Sequence, residues 1–209
     1  SRAIFAAINK LYPNFKGLAT TFGIDGCDDI EIAKLVISKT NWEHQVFHFT
    51  SNNWFEPRLK QNWKTDGMLN IMHMHGIELL QESKNNNFNI GGTIGDIVLR
   101  FSSLQNKTNC YNKKIDKNIA KIFYKGYSSN EWLNDDFYDI NNSEPFLLIN
   151  DGRRFSNMGI VNSSSYVGYR YPFLDNQLLE IIYSLPDEYR EGNKLYKEML
   201  LKKFPDFFK

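Results

Sequence analysis

The sequence predicts an α/β fold: a parallel sheet with flanking helices, followed by a mostly helical C-terminal part. Three observations carry this expectation. Helical and strand-like patterns alternate through the first half of the chain, and a short β-type run at 88–90 empties into a glycine-rich turn. Beyond Asn106 the alternation ceases and apolar residues recur at helical spacing.

Residues 1–11 read as a helix, because Ile4, Phe5, Ile8 and Leu11 share a face; Pro13-Asn14 ends it. Its first residue has nothing before it to cap or support it, which points to a chain cut at a functional turn. Residues 17–22 read as a buried strand closed by Gly23. Asp28 and Asp29 open the next helix, where carboxylates suit the positive end of the helix dipole. Ile30, Ala33, Val36 and Ile37 form its inner stripe. Asn41 stops it, and 44–49 supplies a second strand. A long helical region over about 54–81, interrupted around Asp66-Gly67, leads to the third strand at 88–90. Helix, strand, helix, strand in succession favours parallel pairing. In the second half, helical patterns cover 115–124, 131–138, 144–158, 174–184 and 195–204, with no strand among them.

Composition sets the limits. In 209 residues, 42% hydrophobic and 15% aromatic content is ample for a core. A net charge of +1 argues against nucleic acid as the main partner, since neutralising phosphates wants a basic excess. No apolar run approaches the ~18 residues of a membrane span, and residues 1–4 do not resemble a signal peptide. Cys27 and Cys110 lie far apart with no ligand spacing around them, which reads as two reduced thiols in the cytoplasm. His73 and His75 are two apart on a helical pattern, so they point to different faces and make a poor metal pair. His44 and His48 read as packing or surface residues.

The chemistry centres on Asn89-Ile90-Gly91-Gly92-Thr93-Ile94-Gly95-Asp96. Glycines let the backbone approach a ligand closely, and successive free N–H groups at a helix start attract anions. A carboxylate just beyond such a turn either holds a metal ion that bridges phosphate oxygens or caps the helix. If the turn follows a parallel strand, it sits at the carboxyl end, where open α/β sheets bind ligands. Thr93 offers a hydroxyl to a ligand or simply fills the turn. Arg170 either steers a carboxylate through a bidentate contact or pins two segments through an ion pair with Asp175.

Three separated stretches resemble the synthetase domain of the asparagine synthetase family, which belongs to the ATP pyrophosphatases. Ser1-Arg2-Ala3-Ile4-Phe5-Ala6-Ala7 resembles the helix after that family's Ser-Gly-Gly-x-Asp-Ser loop, with Ser1 as the last serine. Thr21-Phe22-Gly23, then Asp29-Ile30-Glu31-Ile32-Ala33, then Glu43-His44 are similar to its second strand, helix and third strand. The turn at 91–96 is similar to its second phosphate-side motif. Arg170-Tyr171-Pro172-Phe173-Leu174-Asp175, with Leu185-Pro186 and 194–205 beyond, is the most specific match.

The resemblance implies an adenine nucleotide alpha-hydrolase-like fold, with a nucleotide-binding α/β part over 1–109 and a helical acceptor-side part over 110–209. It also implies an ATP-dependent, AMP-forming amide ligase. Such an enzyme uses ATP and Mg²⁺ to adenylate a small-molecule carboxylate, and ammonia or an amine then attacks the acyl-adenylate. The main catalytic lever is charge neutralisation at the pyrophosphate. Carried across, Ser1 would touch pyrophosphate, Phe22 and Gly23 would line the adenosine site, and Gly91 and Gly92 would pass along the nucleotide. Asp96 would hold Mg²⁺, Arg170 and Asp175 would either sit near the acceptor pocket or structure its wall, and Thr93 and Arg170 are the catalytic candidates.

The departures are also informative. The Ser-Gly-Gly-x-Asp part of the first loop is absent, and so is the family's distal lysine, so the 209-residue chain alone is expected not to catalyse. The chain carries no N-terminal nucleophilic cysteine or glutaminase domain; the resemblance leaves room for one upstream of Ser1 in a parent protein, where a cysteine at the mature start would indicate glutamine as the nitrogen source. Thr93 and Ile97 replace the glutamates of asparagine-forming members, which makes asparagine itself a doubtful product. The rival reading is a non-catalytic binding or scaffold domain that keeps the fold. A third, a nucleotide- or tRNA-modifying ATP pyrophosphatase, is disfavoured by the near-neutral charge and the Pro-Phe-Leu-Asp run.

Overall fold

The structure, a computed structural model, describes residues 1–74, 76–82, 88–100, 152, 156–190 and 193–208. It is a mixed α/β protein with small parallel sheets. The described elements are α1 (Arg2–Leu11), β1 (Leu18–Gly23), α2 (Asp28–Ile37), β2 (Glu43–His48), α3 (Phe55–Asn62), α4 (Ile77–Glu82) and β3 (Phe88–Ile90). After these come α5 (Gly95–Arg100), α6 (Asn157–Ser164), β4 (Gly168–Arg170), α7 (Asn176–Ser184), α8 (Asp187–Arg190), α9 (Lys194–Lys203) and α10 (Pro205–Phe208). Among the described residues no helix is long and apolar enough to cross a membrane.

Contacts divide the chain into two compact units. The first comprises Ser1–Gly92, Asn157–Pro172 and Glu198–Lys209; the second comprises Thr93–Ser156 and Phe173–Lys197. The divide expected at 109/110 lies outside the described residues. Two segments of the second half, Asn157–Pro172 and Glu198–Lys209, belong to the first unit.

In the first unit β1 and β2 pair in parallel from Leu18↔Glu43 to Gly23↔His48, joined by α2 as the alternating pattern requires. The inner stripe of α2 behaves as its spacing dictates: Ile30, Val36 and Ile37 are buried, as are Ala3 and Ala6 on α1. Trp42 takes Phe5 and Phe15 edge-on at centroid distances of 5.0 and 5.4 Å. The C-terminal helices close the same unit. Phe207 meets Phe5 at 6.0 Å, and the Arg2 guanidinium lies 4.4 Å from the Phe208 ring. Lys10 Nζ donates to the Lys203 carbonyl at 3.0 Å.

Two expectations need correction. First, the second half does hold a strand: β4 pairs in parallel with β3, Phe88↔Gly168 through Ile90↔Arg170. Three residues, Gly-Tyr-Arg, are too short and too polar to show a period of two, so only the distant partner reveals them. Second, the helical region over 54–81 breaks more often than expected. It stops at Asp66 (φ 50°) and Gly67 (φ 71°) as anticipated, and Gly76 (φ 79°) forces another break. Between them the Asn70 side chain accepts from Met72 N at 2.9 Å and starts a separate 3₁₀ turn, Ile71–His73. The helical patterns at 115–124 and 131–138 lie outside the described residues, as does most of 144–158.

The second unit packs α5 on α7. Ile94, Ile97, Val98 and Ile182 are its buried centre, with Leu99, Leu174, Leu178 and Leu179 around them.

His44 ties the two strands of the first sheet, its Nε2 lying 3.0 Å from Thr21 Oγ1. Burial, and then the Lys34 charge, hold its imidazole below the ordinary value of 6.5. The folded chain therefore binds fewer protons here than the unfolded chain, so stability falls as pH drops below 6.5 towards the depressed folded value. Urea midpoints measured across that window should decline with acid, and His44→Gln should flatten the decline.

Candidate functional site

The residues singled out by sequence fall into both units. Ser1, Phe22, Gly23, Gly91, Gly92 and Arg170 belong to the first; Thr93 and Asp96 belong to the second. The glycine turn itself crosses from one to the other between Gly92 and Thr93.

Within the first unit, Ser1 and Gly92 come together. A methyl group at Gly92 would lie 2.6 Å from the Ser1 backbone nitrogen, 3.2 Å from its Cα and 3.6 Å from its Oγ. Only a residue without a side chain permits this approach, because backbone atoms cannot swing aside. Ser1 and Phe22 share the lining of a cleft of about 400 Å³, whose walls are the first turn of α1, the length of β1 from Ala19 to Phe22 and one side of α2 from Asp29 to Ile37. Gly23 closes β1, where an added Cβ would stand 2.5 Å from Cys27 Sγ.

Gly91 has a different local role from the one its sequence suggests. Its N–H donates to the Arg170 carbonyl at 3.0 Å and extends the β3·β4 ladder, so that group is spent inside the sheet. Gly95 likewise serves packing: a Cβ there would lie 2.5 Å from the Phe173 ring. Between them Ile94 is buried at φ 68°, a left-handed conformation that is uncommon for a β-branched residue. Thr93 is half-buried in the turn, and Asp96 is exposed in the first turn of α5. Among the described residues, no group of three or more His, Cys, Asp and Glu side chains is gathered for a metal ion.

Arg170 is exposed on β4, and its Nη1 donates to its neighbour's carbonyl, Tyr169 O, at 3.0 Å. The flanking rings of Tyr169 and Tyr171 stack at 5.4 Å and 10°, and Asn89 Nδ2 donates to the Tyr169 hydroxyl at 3.0 Å. Asp175 caps α7: its Oδ1 accepts from Leu178 N at 3.1 Å.

Two polar clusters escaped the sequence reading. Arg58 and Glu78, 2% and 3% exposed, form a buried ion pair with Nε to Oε1 at 2.7 Å. A charged pair inside an otherwise helical pattern looks like a solvated face until the fold encloses it. The second cluster surrounds Tyr166, whose hydroxyl meets the side-chain amides of Gln61 and Gln81. Lys64 Nζ lies 4.2 Å from its ring centroid. Burial opposes ionisation of Tyr166, but hydrogen bonds with Gln81, Lys64 and Gln61 outweigh it and bring the hydroxyl below the ordinary tyrosine range.

No family model matches this chain. No curated protein matches it either.

The capping role of Asp175 separates cleanly from an ion-pair role. Asp175→Ala should destabilise by about 1 kcal/mol in denaturant unfolding, whereas Asp175→Asn, an equally good N-cap, should cost only a few tenths. Equal losses in both variants would instead point to the charge.

Proposed function

We propose that the chain is the nucleotide-binding core of an ATP-dependent, AMP-forming amide ligase of asparagine synthetase type, with an adenine nucleotide alpha-hydrolase-like sheet. The observation that carries this reading is the contact between Ser1 and Gly92. These two residues match two different phosphate-side motifs of the resembled family and lie at opposite ends of the first unit's N-terminal segment. Their meeting is what a shared triphosphate site demands. Phe22 adds to it, since it lines the same cleft as Ser1.

On this reading Ser1 and the backbone at Gly92 hold pyrophosphate oxygens, and Phe22 and Gly23 flank the adenosine. Asp96 is exposed in the first turn of α5, and Mg²⁺ needs only one or two carboxylates when phosphates and water complete its shell. The ion would supply charge neutralisation at the leaving pyrophosphate. The residues orient the carboxylate for attack by ammonia or an amine, with Thr93 and Arg170 as the catalytic candidates. The acid is a small molecule, and the reaction takes place in the cytoplasm.

A second reading, a binding or scaffold domain without catalysis, draws on a specific observation: the Gly91 N–H is taken by Arg170 and is lost to an anion cradle.

Calorimetric titration separates the two. The ligase reading expects the chain to bind ATP in the micromolar range with Mg²⁺ and at least about tenfold more weakly without it. Gly92→Val, which pushes Ser1 away, should abolish binding, and Asp96→Asn should remove the magnesium dependence. Absence of ATP binding by the folded wild-type chain, or binding indifferent to both substitutions, would favour the scaffold.

A further inference from the structure

We propose that a pocket beyond the carboxyl ends of β1 and β2 binds a small, flat, uncharged aromatic molecule bearing a carbonyl-type acceptor. The pocket holds about 380 Å³, within the usual range of roughly 300–1,000 Å³ for small-molecule sites. Ile24 follows β1, Phe49, Thr50 and Ser51 follow β2, and Trp54 and Arg58 complete most of the lining from the start of α3. This is the end of a parallel strand pair at which α/β proteins place their ligands. All of it lies in the first unit.

The walls select for a ring. Phe49, Trp54 and Ile24, with Met72 at the rim, offer aromatic faces and a polarisable thioether. Asn53 Oδ1 accepts from Thr50 N at 2.8 Å, and Asn53 Nδ2 donates to the His48 carbonyl at 2.9 Å, so the loop that carries Thr50 and Ser51 is held in shape.

Arg58 selects for the acceptor. It is the charged member of the lining and only 2% exposed. Its Nε donates to Glu78 Oε1 at 2.7 Å and its Nη1 to the Ile71 carbonyl at 3.1 Å. A guanidinium carries five N–H donors, and Nη2 has no partner among the described residues. The rings of Phe49 and Trp54 lie 5.0 and 5.5 Å from Cζ and fix the plane of the group.

Charge then excludes a carboxylate. Arg58 and Glu78 already sum to zero, and Glu78 Oε2 is buried with no hydrogen-bond partner among the described residues. A second anion would bring an uncompensated negative charge against an apolar wall, close to that unsatisfied oxygen. A neutral carbonyl takes an Nη2 proton without this penalty.

This inference needs no nucleotide at the glycine turn, so it stands apart from the ligase reading. The test titrates the folded chain with benzamide and, separately, with benzoate, a pair of nearly equal shape and different charge. Binding is followed by NMR at the Trp54 indole N–H, identified by its loss in Trp54→Phe. Benzamide should saturate and bind at least about tenfold more tightly than benzoate. Met72 is 54% exposed, so Met72→Arg should leave the fold intact, obstruct the rim and weaken benzamide at least about tenfold. Absence of saturable benzamide binding, benzoate binding as well or better, or indifference to Met72→Arg would overturn the proposal.

Discussion

A single close approach governs the candidate site: the start of α1 lies against the end of β3 because Gly92 has no side chain. With any Cβ at that position, the Ser1 backbone would have to move, and the cleft that Ser1 shares with Phe22 would change shape. The approach joins parts of the chain that local pattern alone would leave unrelated. It also explains why the glycines are not interchangeable. Gly92 makes room for backbone, Gly95 makes room for the Phe173 ring, and Gly91 gives its N–H to β4.

The first unit was largely legible because its elements carry their own periodicity. The apolar stripe of α2, the carboxylates at its start and the breaker after α1 are local signals, and α1, β1, α2 and β2 appear where those signals place them. Strand β4 was not legible. Its three residues have no pattern of their own, and their conformation is imposed by β3, 80 positions away by the Asn89–Tyr169 bond. The segment between α3 and α4 failed for a related reason. Asn70 and Gly76 act as local stops within a sequence whose hydrophobic spacing still reads as continuous helix.

The site was legible in part. Residue type and spacing alone did not bring Ser1 to the glycine turn; only the family resemblance put both beside the phosphates, and the structure sets Ser1 against Gly92. Nor could residue type and spacing show that the turn passes between two units, because a unit boundary between Gly92 and Thr93 has no compositional mark. The roles of Asp175 and Arg170 were open to more than one reading. Asp175 satisfies a backbone N–H of α7, and Arg170 binds its neighbour's carbonyl. The Arg58–Glu78 pair was invisible for a physical reason: burial alone turns two ordinary surface-type charges into a costly, geometrically demanding pair.

On the proposed ligase reading, nucleotide phosphates sit where Ser1 meets Gly92. Backbone amide NMR of the chain titrated with ATP and Mg²⁺ tests it most directly, because it reports position as well as affinity. The account predicts saturable shifts concentrated at Phe22, Gly23, Gly92, Thr93 and Asp96. Shifts confined to other segments, or no saturable shifts in the folded chain, would contradict it.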